Sequence, residues 1–141
     1  MRDCFGSTDL NPKSLNEVVS ALSRRARRAG KSAVIVSGCS DLLALVKERI
    51  VNPDVLVNLK SIPGMDQIKD DGGGLKIGGL ASLDTIAHDA RIRAKYVVLS
   101  EAAGVVATPQ IRNAGTLAGN VCQRPWHPRN AFPCYKNGGN T

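Results

Sequence analysis

Apolar residues near the start of the chain recur every three to four positions, which is the period of an amphipathic helix. Ser14 and Glu17 form a capping box at the beginning of this pattern. Gly30 supplies a stop signal at its end. The residues of the predicted buried face are Leu15, Val18, Val19, Leu22, Ala26 and Ala29.

Further along, the apolar positions form shorter runs that are typical of strands. Residues 33–36 are a β-branched run that predicts a buried strand, and residues 42–46 return to helical spacing. Val55, Val57 and Leu59 alternate as a short strand. Residues 65–69 and 75–78 predict a hairpin across an acidic, glycine-rich turn.

The next segments read as helices. Ser82 begins a short helix through Ile86 and Ala87, and Tyr96–Val106 predicts a mostly apolar helix. A chain of 141 residues buries roughly two-thirds of its unfolded surface, which is enough for one core. We therefore expect one α+β domain. No apolar run approaches the roughly 18 residues that a transmembrane helix needs.

The turn after the first predicted strand is a candidate anion site. Small residues, Ser37 to Ser40, separate the strand from the helix, and this arrangement presents backbone N–H groups to an anion. Ser40 fits as the N-cap and Asp41 as a first-turn acid. The turn has neither a Walker pattern nor a dinucleotide fingerprint. An ordinary strand-to-helix connection is the alternative.

A second segment of the same character spans Ala107 to Cys122. It combines a proline, two asparagines, two threonines and several glycines and alanines, without side-chain periodicity. Small residues allow a ligand to approach the backbone. This run is therefore a candidate cofactor loop, and a purely structural turn is the alternative.

Taken in order, the two segments resemble the FAD-binding medium subunit of the molybdenum hydroxylases. They read Ser-Gly-Cys-Ser-Asp-Leu-Leu and then Thr-Pro-Gln-Ile-Arg-Asn-Ala-Gly-Thr-Leu-Ala-Gly-Asn. The family pattern is Ala-Gly-Gly-Thr/Ser-Asp-Leu in the first segment and Thr-Ile-Gly-Gly-Asn in the second. Ser37 and Cys39 replace the alanine and the second glycine of the first pattern, and Ala118 replaces a glycine of the second.

The resemblance implies an α+β FAD-binding domain of the molybdenum hydroxylase flavoprotein (PCMH-like) type, over about residues 1–121. The first segment and Thr116, Gly119 and Asn120 would hold the FAD pyrophosphate, and Thr108 and the turn at 111–113 would lie near the flavin. No side chain is expected to act as an acid or a base. The implied cofactor-binding residues are Val36, Ser37, Gly38, Cys39, Ser40, Asp41, Leu42, Thr108, Ile111, Asn113, Thr116, Gly119 and Asn120.

Family members continue further than this chain, so the resemblance also implies an incomplete subunit. Its implied partners are a large subunit with the molybdenum cofactor and a small subunit with a 2Fe–2S cluster. Electrons would pass between these subunits and an external acceptor. A flavin-free binding or assembly module on the same fold is the alternative, because Cys39 and Ala118 occupy glycine positions of the family.

The four cysteines are irregularly spaced, and we identify no secretory signal peptide. This favours a reducing, cytoplasmic location over a disulfide framework. Residues 122–141 read as the start of a cysteine-containing loop. In some family members this loop carries a 4Fe–4S cluster, of which Cys122 and Cys134 would be two ligands. Free thiols, or a zinc site with His127, are the alternatives.

The formal net charge is +7, and its densest basic cluster lies between Arg24 and Arg28. Cations near a helix C-terminus complement the helix dipole, so we interpret the cluster as a solvated helix face. Docking to an acidic partner subunit is a second use. Nucleic-acid binding is not expected, since no interleaved aromatic residues or recognition motif accompany the arginines.

Overall fold

The computed structural model describes residues 7–28 and 32–123, without the side chains of 24–28. Within these ranges the predicted α+β class is confirmed. The strands are β1 Thr8–Leu10, β2 Ala33–Val36, β3 Val55–Asn58, β4 Ile68–Asp71 and β5 Gly74–Ile77. The helices are α1 Leu15–Arg28, α2 Ser40–Lys47, α3 Leu83–His88, α4 Ala90–Lys95, α5 Val97–Gly104, α6 Pro109–Ala114 and α7 Leu117–Val121, with a short 3-10 helix at Leu59–Ser61.

A parallel sheet in the order β1-β3-β2 organises the first half of the chain. Its central strand β3 is the most buried, and Val55 and Val57 pack with Val18 of α1 and with Ile62 in one apolar core. Because all three strands are parallel, the turn after β2 and the 3-10 helix after β3 both lie at the C-terminal ends of the strands.

Within the described residues, a hairpin and five short helices follow the parallel sheet. Strands β4 and β5 pair antiparallel across Gly72 and Gly73, which both have the positive φ that such a turn requires. A second core lies beneath the hairpin, where Ile86 and Ile92 are fully buried. Ser100 joins α5 to α3 by donating a hydrogen bond to the Ala87 carbonyl (2.8 Å).

Asp89 caps α4 and binds Arg91, which connects this helix to the hairpin. Its carboxylate accepts hydrogen bonds from the backbone N–H groups of Arg91 and Ile92 and from the Arg91 guanidinium. The guanidinium in turn donates to the Ile68 carbonyl (3.2 Å). The hydrogen bonds from Arg91 lower the pKa of Asp89 to about 2.

Two helix predictions were only partly right. The capping box of α1 is present, with the Ser14 hydroxyl accepting from the Glu17 N–H (3.3 Å). However, Leu15 and Val19 of the predicted buried face are 56% and 61% exposed, because the sheet beside α1 has only three short strands to cover it. The helix predicted at 96–106 is present as α5, with Tyr96 as its N-cap, but it ends at Gly104, two residues earlier than predicted.

The strand predicted at 33–36 has the observed bounds, but the first hairpin strand, predicted at 65–69, lies at Ile68–Asp71, and β1 was not predicted. The burial predicted for the strand at 33–36 was wrong. The predicted strand at 33–36 lies at the sheet edge, and its Ile35 is 47% exposed. The stop at Gly30 and the side chains of the basic cluster lie outside the part of the chain that is described. In the described ranges no helix is long and apolar enough to cross a membrane.

Candidate functional site

The β2–α2 turn, residues 37–39, leaves the N-terminus of α2 without a side-chain cap. Cys39 is the N-cap, in a left-handed conformation (φ 60°), and its side chain makes no capping hydrogen bond. The prediction of Ser40 as the N-cap was therefore wrong, since Ser40 is the first helical residue. First-turn N–H groups have no intrahelical acceptor, so they are available to an anion at this position.

The second predicted loop is not irregular but contains the two short helices α6 and α7. The Thr108 hydroxyl caps α6 by accepting from the Ile111 N–H (3.4 Å), and Pro109 occupies the first turn. The Thr116 hydroxyl caps α7 by accepting from the Gly119 N–H (3.2 Å). Helices of five or six residues are too short to show a period, which is why the sequence pattern missed them.

The β2–α2 turn and the α6–α7 segment meet directly. The hydroxyls of Ser37 and Thr116 share a hydrogen bond of 3.2 Å across a sequence separation of 79 residues, and Thr116 is 3% exposed. A Cβ atom on Gly38 would overlap the carbonyl oxygen of Ala114. Glycine at position 38 therefore permits the close approach of the two segments.

Backbone hydrogen bonds join the α6–α7 segment to residues 79–83, which connect β5 to the start of α3. The N–H groups of Leu117 and Ala118 donate to the carbonyls of Ala81 and Gly79 (2.9 and 2.8 Å). Leu83 donates to the Gly115 carbonyl (3.0 Å). The segment is thus held on a rigid element, which is how precise binding sites are positioned.

A cavity of about 390 Å³ lies between the two segments. Its size is in the range of pockets for drug-sized ligands and cofactors, roughly 300–1,000 Å³. Ten of the thirteen predicted cofactor-binding residues line it. They are Ser37, Gly38, Cys39, Ser40, Asp41, Leu42, Ile111, Thr116, Gly119 and Asn120.

The other three predicted residues do not line the cavity. Val36 ends β2 and pairs with Asn58. Thr108 is engaged in capping α6, and Asn113 donates from its side-chain amide to the Pro109 carbonyl (2.9 Å). The cavity also has lining residues that the sequence analysis did not select: Ile35, Leu45, Leu83, Val106, Ala107, Gly115 and Gln123.

Two glycine replacements that the sequence analysis noted differ in their relation to the cavity. Cys39 lines it. Ala118 does not, and its Cβ faces Gly79, where an added Cβ would lie 3.2 Å from it. Only the replacement at position 39 therefore places a side chain in the site.

Among the described residues that line the cavity, the only acidic or basic side chain is that of Asp41 in the first turn of α2. Burial raises the pKa of the Cys39 thiol, and the ammonium of Lys60 opposes this rise. Because the raised pKa keeps the thiol neutral near pH 7, Cys39 adds no negative charge next to an anion. Lys60 lies in the 3-10 helix after β3, at the C-terminal ends of the strands, where the β2–α2 turn also lies. Sequence reasoning missed this cation, because its proximity depends on the pairing of β2 with β3.

The predicted metal ligands receive no structural support as a group. Cys122 also lines the cavity, and it is an exposed free thiol. Cys134 and His127 lie outside the described residues. Among residues 7–28 and 32–123, no three His, Cys, Asp or Glu side chains are grouped as metal ligands would be. What this geometry offers is a pocket with a helix N-terminus, which suits an anionic, partly apolar ligand.

Comparison with known proteins shows the family to which this chain belongs. Residues 6–132 match the family described as the FAD binding domain in molybdopterin dehydrogenase. The carbon monoxide dehydrogenase medium chain of Hydrogenophaga pseudoflava is 31% identical over 122 residues, which are 86% of this chain and 40% of that protein. The aldehyde oxidoreductase FAD-binding subunit PaoB of Escherichia coli is 38% identical over 74% of this chain and 34% of its own length.

Solved structures agree with this result. A carbon monoxide dehydrogenase structure from Hydrogenophaga pseudoflava superposes with a TM-score of 0.74 and 30% identity, over 82% of this chain and 39% of that one. Quinoline 2-oxidoreductase from Pseudomonas putida 86 gives 0.72 and 28%, over 80% of this chain and 38% of that one. The chain spans about 40% of the length of the first of these relatives. By its sequence match and its fold, this chain belongs to the family of FAD-binding domains of molybdopterin dehydrogenases.

Proposed function

We propose that this chain binds FAD in the cavity between the β2–α2 turn and the α6–α7 segment, as the flavin-binding part of a molybdenum hydroxylase-type oxidoreductase. The observation that carries the proposal is the uncapped N-terminus of α2 at a pocket of about 390 Å³. FAD has an anionic pyrophosphate for the helix N-terminus and apolar rings for the rest of such a pocket. Bound FAD would supply the redox chemistry, accepting electrons and passing them on.

Hydrogen-bond donors for the FAD pyrophosphate lie on both sides of the cavity. The first-turn N–H groups of α2, at Ser40 to Leu42, would donate to the pyrophosphate, with a modest contribution of about 0.3–1 kcal/mol from the helix dipole. The Gly119 N–H is already donated to Thr116. The exposed side-chain amides of Asn120 and Gln123 have no partner among the described residues, so they are the side-chain donors that this side of the cavity offers.

The whole-protein role follows from the relatives. The carbon monoxide dehydrogenase chain of Hydrogenophaga pseudoflava is named a medium chain, and PaoB is named an FAD-binding subunit. We infer that this domain works beside a large subunit with the molybdenum cofactor and a small 2Fe–2S subunit, passing their electrons to an external acceptor. The predicted 4Fe–4S cluster is not part of this proposal, since Cys134 lies outside the described residues and the comparisons give the cluster no support.

A flavin-free binding or assembly module is the second candidate. The observation that favours it is the side chain of Cys39, which stands in the cavity at a left-handed position. Ala118 lies outside the cavity, so its replacement of a glycine does not favour this alternative.

The test is a titration of the purified apoprotein with FAD, followed by flavin fluorescence and by the visible absorption bands. ADP and riboflavin serve as competitors, because ADP carries the pyrophosphate and riboflavin carries only the ring system. Val98→Ala is the matched control, since Val98 is exposed on α5 and does not line the cavity. We expect stoichiometric FAD binding, unchanged in the control, with ADP the stronger competitor.

Cys39→Gly separates the two candidate functions. If only this variant binds FAD, the pocket has the right shape and the native thiol has closed it, which supports the flavin-free module. If neither protein binds FAD, the proposed function is refuted for this chain. Stronger competition by riboflavin than by ADP would refute the assignment of the α2 N-terminus to the pyrophosphate.

A further inference from the structure

One wall of the cavity has a strained backbone. Val106 and Ala107 line the cavity between α5 and α6, and Ala107 has a φ of 44°. This left-handed conformation is unfavourable for alanine, so it persists only where the surroundings hold it. The wall therefore needs a constraint from outside its own two residues.

Arg112 supplies such a constraint from the last turn of α6. Its Nη1 donates to the carbonyl of Val106 (3.0 Å) and to the carbonyl of Ala107 (3.2 Å). Both wall residues are thus bound by one nitrogen atom, and hydrogen bonds from a charged donor are the stronger kind. Arg112 itself does not line the cavity.

The Arg112 guanidinium forms no other hydrogen bond or ion pair within the described part of the chain. Its Nε is buried without a hydrogen-bond partner there, and no described carboxylate forms an ion pair with it. A buried donor without a partner is unfavourable, and native proteins retain few of them. The hydrogen bonds to the two wall carbonyls therefore compensate for the unpaired Nε of Arg112.

We propose that Arg112 is a positioning residue for the cofactor cavity: it holds Val106 and Ala107 in the shape that admits the ligand. The inference rests on the proposed function, because the ligand is FAD. Without the guanidinium, Ala107 relaxes toward negative φ, and the fraction of molecules with an open cavity falls. Apparent affinity falls with that fraction.

The experiment compares FAD dissociation constants of Arg112→Met, Arg112→Lys, Ala107→Gly and the double variant Arg112→Met/Ala107→Gly. Arg93→Met is the matched control, because Arg93 is exposed on α4 and away from the cavity. We expect Arg112→Met to raise the Kd about tenfold and Arg93→Met to change it less than about twofold. Arg112→Lys keeps a charged donor, so its Kd should lie between those of the wild type and Arg112→Met.

Rescue by glycine distinguishes positioning from general stabilisation. Glycine adopts positive φ without strain, so the double variant is expected to bind FAD within about threefold of wild type. A double variant as weak as Arg112→Met overturns the proposal, because a purely structural or purely electrostatic arginine gains nothing from relief at position 107. Full affinity in Arg112→Met overturns it as well.

A double-mutant cycle of wild type, Arg112→Met, Ala107→Gly and the double variant also decides the question without FAD. In urea unfolding of the apoproteins, the midpoint shift that Arg112→Met causes should be smaller in the Ala107→Gly background, since coupled residues are not additive. Equal shifts in both backgrounds overturn the proposal even if the wild type binds no flavin. Absent FAD binding with a coupled cycle would instead reject the proposed function and retain the role of Arg112.

Discussion

Replacing Cys39 by glycine should stabilise the fold. Cys39 is the N-cap of α2 at φ 60° and ψ 0°, a left-handed conformation that L-residues rarely adopt. Its thiol sulfur reaches only the Ser37 carbonyl, at 4.0 Å, so little side-chain interaction is lost with it. The balance is therefore between backbone strain in the folded state and chain entropy in the unfolded state.

The two contributions have known sizes. Left-handed φ costs an L-residue roughly 1–2 kcal/mol that glycine avoids. Glycine loses about 0.4–1 kcal/mol through the greater freedom of the unfolded chain. The net gain is about 0.5–1 kcal/mol, which for a domain of this size raises the Tm by about 2–4 °C. FAD affinity should rise about fivefold, because one more N–H group becomes accessible and a hydrogen bond is worth about 1 kcal/mol.

The assay is urea unfolding together with FAD titration on three variants. Cys39→Ala removes the thiol but keeps the Cβ, so it isolates the effect of φ. Arg49→Gly is the matched control, since Arg49 also has a positive φ (55°) but lies after α2 and outside the cavity. We expect Arg49→Gly to gain similar stability without any change in FAD affinity.

Backbone strain at position 39 is refuted if Cys39→Gly unfolds at the same urea concentration as Cys39→Ala, or at a lower one. In that case the left-handed turn would not be strained by the side chain. Equal gains in FAD affinity for Cys39→Gly and Arg49→Gly would show that affinity follows global stability, and the specific role of position 39 would be rejected.

Three further predictions concern the contacts that hold the site. Gly38→Ala should destabilise by about 1–3 kcal/mol through overlap with the second segment, while Gly104→Ala, with its nearest contact at 3.9 Å, should not; similar urea midpoints for the two would refute the close approach. Thr116→Val should destabilise by about 1–2 kcal/mol and couple with Ser37→Ala in a double-mutant cycle, and additive effects would mean that their shared hydrogen bond adds nothing. Since the pKa of Asp89 is lowered from 3.8 to about 2, its stabilising effect is present above about pH 4 and lost as the pH falls through about 2; Asp89→Asn should flatten that acid-side decline in pH-dependent unfolding, and an unchanged slope would contradict the assignment.

Much of the local structure was predictable, because its signals lie within a few residues. The Ser14–Glu17 capping box, the hairpin around Gly72 and the cap at Ser82 all appear where the pattern placed them. The boundary of α2 was misplaced by one residue, since serine is the commoner N-cap and a left-handed cysteine is rare. Helices α6 and α7 escaped notice because each is shorter than two helical turns.

The candidate site was predictable as two segments but not as a cavity. Motif resemblance selected ten residues that line it and three that do not, because a motif reports sequence proximity and not the direction of a side chain. Ala107 begins the second segment but was not among the predicted cofactor-binding residues, and Val106 lies before that segment; only the fold brings the end of α5 to the cavity. Lys60 was missed because nothing local relates the end of β3 to the turn after β2.

The amino-acid order alone was therefore sufficient for the family, the α+β class and most element positions, since caps, turns and hydrophobic periods act over three or four residues. Tertiary structure decided which groups meet. The parallel pairing of β2 with β3 brought Lys60 near Cys39. Because Gly38 has no side chain, the two segments approach each other closely enough to form the Ser37–Thr116 hydrogen bond. Contacts across 79 residues depend on the path of the whole chain, and no local pattern encodes that path.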